Sequence, residues 1–214
     1  MKTDTADQHW NAQWAGIDAE SKWLTPEPDV MDWSRGFAPG ARVLDLGAGV
    51  GRHALWLAKQ GFVVTALDAA PDGLARIDAA GGVTTVQSRM HELPFADGGF
   101  DHVLSWNVIY HGDEDILLRT IAEIRRVLKP GGTYLGTMLS KRRLPHEMAL
   151  APGHEISRNT WVMDTDEGDK RHPHYYCSAA ELLALFSGFE VLSLDDREHE
   201  KPGSHHWHLR LERL

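Results

Sequence analysis

The sequence predicts an α/β fold with a doubly wound, mostly parallel sheet and helices on both faces. Short apolar strands alternate with helical segments of period 3.6 between residues 41 and 139. Glycines stand at the joins between these segments, as at 61 and 81–82. The final stretch HHWHLRLERL alternates apolar and polar residues, which predicts a half-buried antiparallel strand near a sheet edge.

The individual elements follow from local signals in chain order. Seven strands are predicted, at 41–46, 62–67, 83–87, 100–106, 133–139, 189–194 and in the tail. Four main helices are predicted, at 51–60, 70–80, 113–128 and 178–188. Pro71 suits the first turn of the second helix, and Asp113 can cap the third. Ser178 with Glu181 forms a capping box for the fourth.

The regular alternation fails at both ends of this core. We expect one domain over 1–214, with a helical cover at 1–38 and an insertion at 140–177. The insertion is too long for a plain connection, which favours a lid over the ligand end of the sheet. Within it, 160–163 and 174–176 are predicted to pair as a hairpin around the acidic turn DTDEGD.

The amino-acid composition excludes several functional classes of protein. The chain has 214 residues, 42% hydrophobic residues and a formal net charge of −9. That charge argues against a nucleic-acid partner. Cys177 is the single cysteine, so no intrachain disulfide is expected. The sequence has no secretory signal at its start and no apolar run of 18 residues, so we expect a cytoplasmic protein without a membrane partner. The oligomeric state stays open.

The stretch VLDLGAGVGRHALWLA places glycines at 47, 49 and 51, where a strand passes into a helix. A dinucleotide fingerprint starting at Gly47 would need glycine at 52, which is Arg52. Asp45 precedes the turn; its carboxylate disfavours a pyrophosphate and suits an ammonium group. The turn therefore fits a nucleoside attached to an amino acid better than a dinucleotide. Asp68 ends the second strand, where a carboxylate can accept both hydroxyls of a ribose.

Four motifs occur in order: VLDLGAGVGRHALWLA, VTALDAA, HELPFADGGFDHVLSWNVIYH and VLKPGGTYLGTM. Together they resemble the class I S-adenosylmethionine-dependent methyltransferases over roughly residues 41–138. The resemblance implies a Rossmann-like seven-stranded sheet with an antiparallel last strand, S-adenosylmethionine as cofactor and S-adenosylhomocysteine as product. The stretch GRHALWLAKQGFVVTALD is also similar to the small-molecule branch, which includes tellurite-resistance and thiopurine methyltransferases (methyltransferase types 11 and 12).

The resemblance assigns expected cofactor contacts. The methionine part is expected at Asp45, Gly47, Ala48 and Gly49; the ribose at Asp68; the adenine at Ala69, Met90 and His91; and the sulfonium above Asn107 and Val108. Position 89 departs from the pattern, because the family often has Asp near this point and this chain has Arg89.

Candidate residues for the acceptor side lie around the end of the fourth strand. Methyl transfer needs an in-line nucleophile, and a hydroxyl or amine acceptor also needs a base. We expect His111 to be that base, with Tyr110 beside it. Trp10 and Trp14 share a helix face and could cover the sulfonium by cation–π contact, although core packing explains them equally well.

Arg142 and Arg143 follow the fifth strand and are candidates to clamp an anionic small-molecule acceptor; a solvated basic pair is the alternative. Histidines at 172, 174, 205, 206 and 208 suggest a metal, but no cysteine–histidine framework accompanies them, so we assign no metal from the sequence. The alternatives to a small-molecule methyltransferase are a protein or RNA methyltransferase and a cofactor-binding domain without catalysis. A dinucleotide-dependent oxidoreductase is disfavoured by Arg52.

Overall fold

The computed structural model describes residues 3, 5–166 and 168–214. Its helices are α1 (Asp7–Ala15), α2 (Pro28–Ser34), α3 (Arg52–Lys59), α4 (Pro71–Ala80), α5 (Glu114–Val127), α6 (Leu144–Leu150) and α7 (Ala179–Leu185). Its strands are β1 (Arg42–Leu46), β2 (Val63–Asp68), β3 (Thr84–Gln87), β4 (Phe100–Ser105), β5 (Leu128–Ser140), β6 (Gly153–Ser157), β7 (Thr160–Met163), β8 (His174–Cys177), β9 (Phe189–Glu198) and β10 (His205–Arg213). Residues 1, 2 and 4 of the predicted cover and Glu167 of the acidic turn lie outside the described part.

The main sheet confirms the predicted doubly wound topology. Its strands lie in the order β3-β2-β1-β4-β5, all parallel. Strand β10 pairs antiparallel with β5, from Thr133 opposite Glu212 to Leu139 opposite His206. Strand β9 then pairs antiparallel with β10. The chain order reverses between β1 and β4, and ligands of open α/β sheets bind at such a point.

Side chains on the sheet alternate between two cores. Val43 packs with α2, α3 and α4, whereas its neighbour Leu44 packs with α5 and α7. The same alternation separates Val103 from Leu104 on β4. Helices therefore cover both faces, and the central strands are buried on both sides, as the predicted parallel sheet requires.

The sheet is larger than predicted: within the described residues it has ten strands, whereas the sequence predicts seven. Strands β6, β7 and β8 come from the insertion, and the predicted pairing of β7 with β8 is confirmed. Strand β5 extends beyond the end of β4, and Ser140 at the end of β5 pairs with Cys177 of β8. The extra length of β5 thus lets the insertion join the sheet instead of lying apart from it.

The glycine turn connects β1 to α3 at the carboxyl edge of the sheet. Gly47, Gly49 and Gly51 all have positive φ, at 73°, 55° and 84°. The amides of Gly47 and Ala48 donate to the carbonyl of Leu67 at 2.7 and 3.0 Å, which fixes the turn against β2. Glycine is favoured where the backbone must take this left-handed conformation.

Helix α1 lies across the turn between β1 and α3, and it is tied to α4. Asn11 donates to the carboxylate of Asp72 at 2.9 Å and accepts from the Asp72 amide at 3.0 Å. This contact holds the N-terminal helix over the ligand end of the sheet. No helix in the described ranges is long and apolar enough to cross a membrane.

Candidate active site

A cavity of about 900 Å³, open to solvent, lies at the carboxyl ends of β1, β2 and β4. Three groups of side chains and loops form its walls. They are the glycine turn with Asp68 and Ala69, the segments at 88–90 and 106–108 with His111, and an outer wall from α1 and Trp23.

Most predicted cofactor residues meet in this cavity. Its lining includes Gly47, Ala48, Gly49, Asp68, Ala69, Met90, Asn107 and Val108. Asp45 and His91 do not line it; both are buried, at 1% and 8% exposure. The sequence motifs therefore converge on one site, although two of their residues lie behind its surface.

The Asp68 carboxylate organises the turn as well as facing the cavity. One oxygen accepts from the Gly49 amide at 2.7 Å, and the other accepts from the Ala70 amide at 2.8 Å. Burial raises the pKa of Asp68, and these backbone hydrogen bonds oppose the rise. Each carboxylate oxygen has a second lone pair, so both remain able to accept a ribose hydroxyl.

Asp45 and Arg52 place opposite charges beside the glycine turn. Burial raises the pKa of Asp45 to about 7, although Arg52 opposes the rise. One carboxylate oxygen of Asp45 is buried without a hydrogen-bond partner among the described residues. Arg52 lines the cavity and pairs with Glu27 at 2.8 Å. An orphaned buried carboxylate next to a guanidinium suits a zwitterionic amino-acid group.

Three indole rings, Trp10, Trp14 and Trp23, form a tryptophan cluster over the cavity. Trp10 stacks on Trp14 at 5.2 Å between centroids, and Trp23 packs edge-on against both, at 5.8 and 5.6 Å. The guanidinium of Arg52 lies 5.0 Å from the Trp23 ring. The predicted shared face of Trp10 and Trp14 is present, and both rings line the cavity.

Arg89 links the cavity floor to the N-terminal helix. Its guanidinium pairs with the Asp7 carboxylate at 3.1 Å, and both residues line the cavity. The position that departs from the family pattern therefore carries a cation that contacts an acid on α1. This ion pair joins the segment after β3 to the cover.

His111 lines the cavity, but its ring nitrogens face protein groups. Nδ1 lies 2.6 Å from the Val108 carbonyl oxygen, so Nδ1 must be the protonated donor. Nε2 is buried and lies 3.7 Å from the Asp169 carboxylate. The second ring nitrogen of the predicted base is thus directed toward Asp169 of the insertion.

Three further predicted acceptor residues, Tyr110, Arg142 and Arg143, do not line this cavity. Tyr110 is buried at 4% exposure, and burial raises the pKa of its hydroxyl. The Arg143 side chain is 14% exposed and contacts Glu147, Ser204 and His206. The Arg142 side chain is 65% exposed and lies 3.4 Å from Asp196. The two arginines therefore point in different directions and do not form one clamp.

Some cavity residues were not assigned from the sequence. Trp23, His53 and Ser88 are examples, together with the Arg89–Asp7 pair. The sequence motif identifies Arg52 only as the residue that breaks a dinucleotide fingerprint. Arg52 directly follows Gly51, whose φ is 84°, and begins α3 at the ligand end of the sheet. Its position after the glycine motif therefore indicates a cavity residue.

Arg143→Ala is expected to lower the free energy of unfolding by about 2 kcal/mol, because it leaves the buried Glu147 carboxylate without its charged partner. Arg142→Ala is the matched control, and its exposed position predicts a change within about 0.5 kcal/mol. Urea denaturation of both variants measures the difference. Equal losses in the two variants would show that the inward position of Arg143 is wrong.

These features define a class of α/β protein that binds a nucleoside carrying an amino-acid group. A family model described as a methyltransferase domain matches residues 43–132. A methyltransferase relative from Encephalitozoon cuniculi is 36% identical over 155 residues, covering 70% of this chain and 70% of the relative. The chain belongs to the S-adenosylmethionine-dependent methyltransferase family, of the type 11/12 branch. The family's cofactor is S-adenosylmethionine.

Other similar proteins either match this chain over a smaller part of their length or share only its fold. An uncharacterised methyltransferase of Synechocystis is 38% identical over 98 residues, and the match spans 45% of this chain and 46% of that protein. The chain thus spans about half the length of this relative.

Two solved structures with under 25% identity share the fold. The 1,6-didemethyltoxoflavin-N1-methyltransferase of Burkholderia thailandensis, with S-adenosylhomocysteine and 1,6-didemethyltoxoflavin bound, has a TM-score of 0.72 at 19% identity and covers 96% of this chain and 84% of its own. A Haloferax volcanii methyltransferase in complex with a methyltransferase activator has a TM-score of 0.69 at 21% identity, covering 98% of both chains.

Proposed function

We propose that this chain transfers the methyl group of S-adenosylmethionine to a small-molecule acceptor. The observation that carries the proposal is the cover over the cavity: the tryptophan cluster lies above the glycine turn, and Asp7 of α1 pairs with Arg89 after β3. This cover leaves the cavity only partly open to solvent, and concave, largely enclosed pockets are typical of small-molecule sites.

The site fits the cofactor by its donor set. Asp68 has lone pairs for the ribose hydroxyls, and the Asp45 carboxyl group, buried behind the glycine turn, favours an ammonium group nearby when it is ionised. Arg52 offers a guanidinium for the carboxylate. A side chain at Gly49 would place its Cβ 3.0 Å from Trp14, so glycine keeps this part of the turn free. When bound, the cofactor supplies an electrophilic methyl on a sulfonium.

The chain's own contribution to methyl transfer is position and exclusion of water. Asn107 and Val108 form the floor at the end of β4, and the tryptophan cluster forms the opposite wall. Aromatic faces stabilise a sulfonium by cation–π contact. Holding nucleophile and methyl in line in a dry cavity removes much of the entropic barrier.

The two covers, residues 1–38 and the insertion at 140–177, meet beside the cavity. Thr5 Oγ1 lies 3.0 Å from His172 Nδ1, and the His9 and His172 rings are 6.0 Å apart. The Gly112 amide donates to the Pro173 carbonyl at 3.0 Å, which joins the insertion to the end of β4. These contacts support the proposal that both segments act together as a lid.

An acceptor panel tests the proposal. S-adenosylhomocysteine release is measured with thiols, amines, phenols, selenite and tellurite, after calorimetry has established S-adenosylhomocysteine binding. We expect turnover with one chemical class of the panel. Transfer of labelled methyl only to protein or RNA of a cell lysate would refute a small-molecule acceptor. Tight binding with no transfer to the panel or the lysate would refute catalysis.

A further inference from the structure

We propose that His111, Asp169 and His174 form a binding site for one divalent metal ion of the zinc type. We call these three residues the histidine–aspartate cluster. One ligand atom from each, Nε2, a carboxylate oxygen and Nε2, lies within 4.8 Å of the others. Two imidazoles and one carboxylate are a ligand set that zinc uses in sites with an open coordination position.

The histidine tautomers prepare both rings for a metal. His174 Nδ1 lies 2.7 Å from the His172 carbonyl oxygen, and His111 Nδ1 lies 2.6 Å from that of Val108. A carbonyl can only accept, so both Nδ1 atoms carry the proton, and in the neutral rings both Nε2 atoms present lone pairs. Metal-binding histidines show this pattern, with the second nitrogen donating to a carbonyl or carboxylate.

The three lone-pair atoms face one another. His174 Nε2 lies 3.1 Å from Asp169 Oδ2, and His111 Nε2 lies 3.7 Å from the same oxygen. Ligand atoms bound at about 2.0–2.1 Å around a tetrahedral ion are roughly 3.3 Å apart. The observed spacings therefore bracket the value that a single ion would impose, and three such groups in contact need either a cation or an added proton between them.

Backbone pairing holds the two histidines in place. His111 and His174 form an antiparallel bridge, flanked by the Gly112 amide donating to Pro173 and the Tyr175 amide donating to Tyr110 at 2.8 Å. His174 is fully buried, and the His111 side chain is 11% exposed. The cluster thus lies on paired backbone that joins the insertion to β4, which is a rigid setting for metal ligands.

Lys170 offers the competing explanation. Its Nζ lies 3.1 Å from Asp169 Oδ2, so it already brings a positive charge to the carboxylate. It contacts only one member of the cluster and gives no partner to His111 Nε2, which has no hydrogen bond among the described residues. Because a metal and Lys170 would share Asp169, the metal proposal makes a distinctive prediction: removal of the lysine charge should tighten metal binding.

His111 also connects the cluster to methyl transfer, because it lines the cofactor cavity. We infer that the ion's open position takes a hydroxyl or thiol of the acceptor, and this step rests on the proposed function. The bound group loses its proton to water. Its electron pair then forms the bond to the methyl carbon while the carbon–sulfonium bond breaks, leaving S-adenosylhomocysteine.

Zinc titration of the full chain, stripped with a chelator and followed by calorimetry, tests the site. We expect one Zn²⁺ per chain, and Co²⁺ should give the visible absorption of a four-coordinate site. Asp169→Asn and His111→Gln should each weaken Zn²⁺ binding at least about tenfold. Lys170→Met should tighten it about threefold or more. His172→Ala is the matched control; its ring bonds to Thr5 outside the cluster, so binding should not change.

The following results would overturn the metal site or its role in acceptor binding. Zinc binding that is absent in the wild type, or unchanged in Asp169→Asn, overturns the metal site. A doubly protonated His174 ring in ¹⁵N NMR of the chelated protein at neutral pH, with no response to Zn²⁺, favours a simple His174–Asp169 ion pair and also overturns it. S-adenosylhomocysteine affinity should be the same with and without Zn²⁺. If zinc binds but methylation of every hydroxyl and thiol in the panel ignores it, the acceptor role fails while the metal site stands.

Discussion

Asp68→Ala is expected to weaken S-adenosylhomocysteine binding at least about a hundredfold. We expect the carboxylate to accept two ribose hydroxyls, and each charge-assisted hydrogen bond contributes about 1.5–3 kcal/mol. The substitution also removes the acceptor for the Gly49 and Ala70 amides, so the glycine turn loses its anchor. We therefore expect a lower melting temperature together with the loss of affinity.

Two further variants separate these effects. Asp68→Asn keeps an acceptor oxygen and should retain more of the stability than of the affinity, because the charge that strengthens the ribose bonds is gone. Asp78→Ala is the matched control on α4, where an exposed carboxylate accepts from Thr85 at 2.6 Å, far from the cavity lining. Calorimetric titration with S-adenosylhomocysteine gives the affinities. A wild-type dissociation constant in Asp68→Ala would remove this residue from the ribose site.

The fold was predictable because its signals are local. The alternation of short strands with amphipathic helices predicted the doubly wound parallel sheet, and the alternation in the tail predicted the antiparallel β10. The convergence of most predicted cofactor residues on one cavity was predictable for the same reason, since the turn at 47–51 directly follows β1 and Asp68 ends β2. Strand ends at one sheet edge meet in space without any long-range information.

The acceptor side was less predictable, because its contacts join distant segments. The pairing of β8 with β5 depends on β5 extending past β4, which no local pattern indicates. Arg142 and Arg143 are adjacent in sequence but differ in direction, and only the position of Glu147 and Ser204 separates them. The histidine–aspartate cluster combines a residue after β4 with two from the insertion, so spacing along the chain could not reveal it.

Gly47→Ala is expected to abolish measurable cofactor binding, and a second glycine provides an unusual control. Gly47 and Gly40 both have φ of 73°, so an alanine at either position carries the same left-handed strain of about 1–2 kcal/mol. A Cβ at Gly40 would meet nothing within 4 Å. A Cβ at Gly47 would lie 2.9 Å from the Val108 Cβ and closer still to both Val108 methyl groups.

The difference between the two variants therefore isolates crowding at the cavity floor. Overpacking typically adds about 1–3 kcal/mol, and relief requires the glycine turn or the end of β4 to move, which changes the shape of the cavity expected to hold the cofactor. Gly40→Ala should lose stability but keep its affinity for S-adenosylhomocysteine, whereas Gly47→Ala should lose both. Adding Val108→Ala to Gly47→Ala should restore part of the stability, because it removes the two methyl groups.

Chemical denaturation and calorimetric titration of the four proteins, including the wild type, measure these effects. Equal affinities in Gly40→Ala and Gly47→Ala would mean that the turn does not touch the cofactor, since the backbone strain is the same and only the contact with Val108 differs.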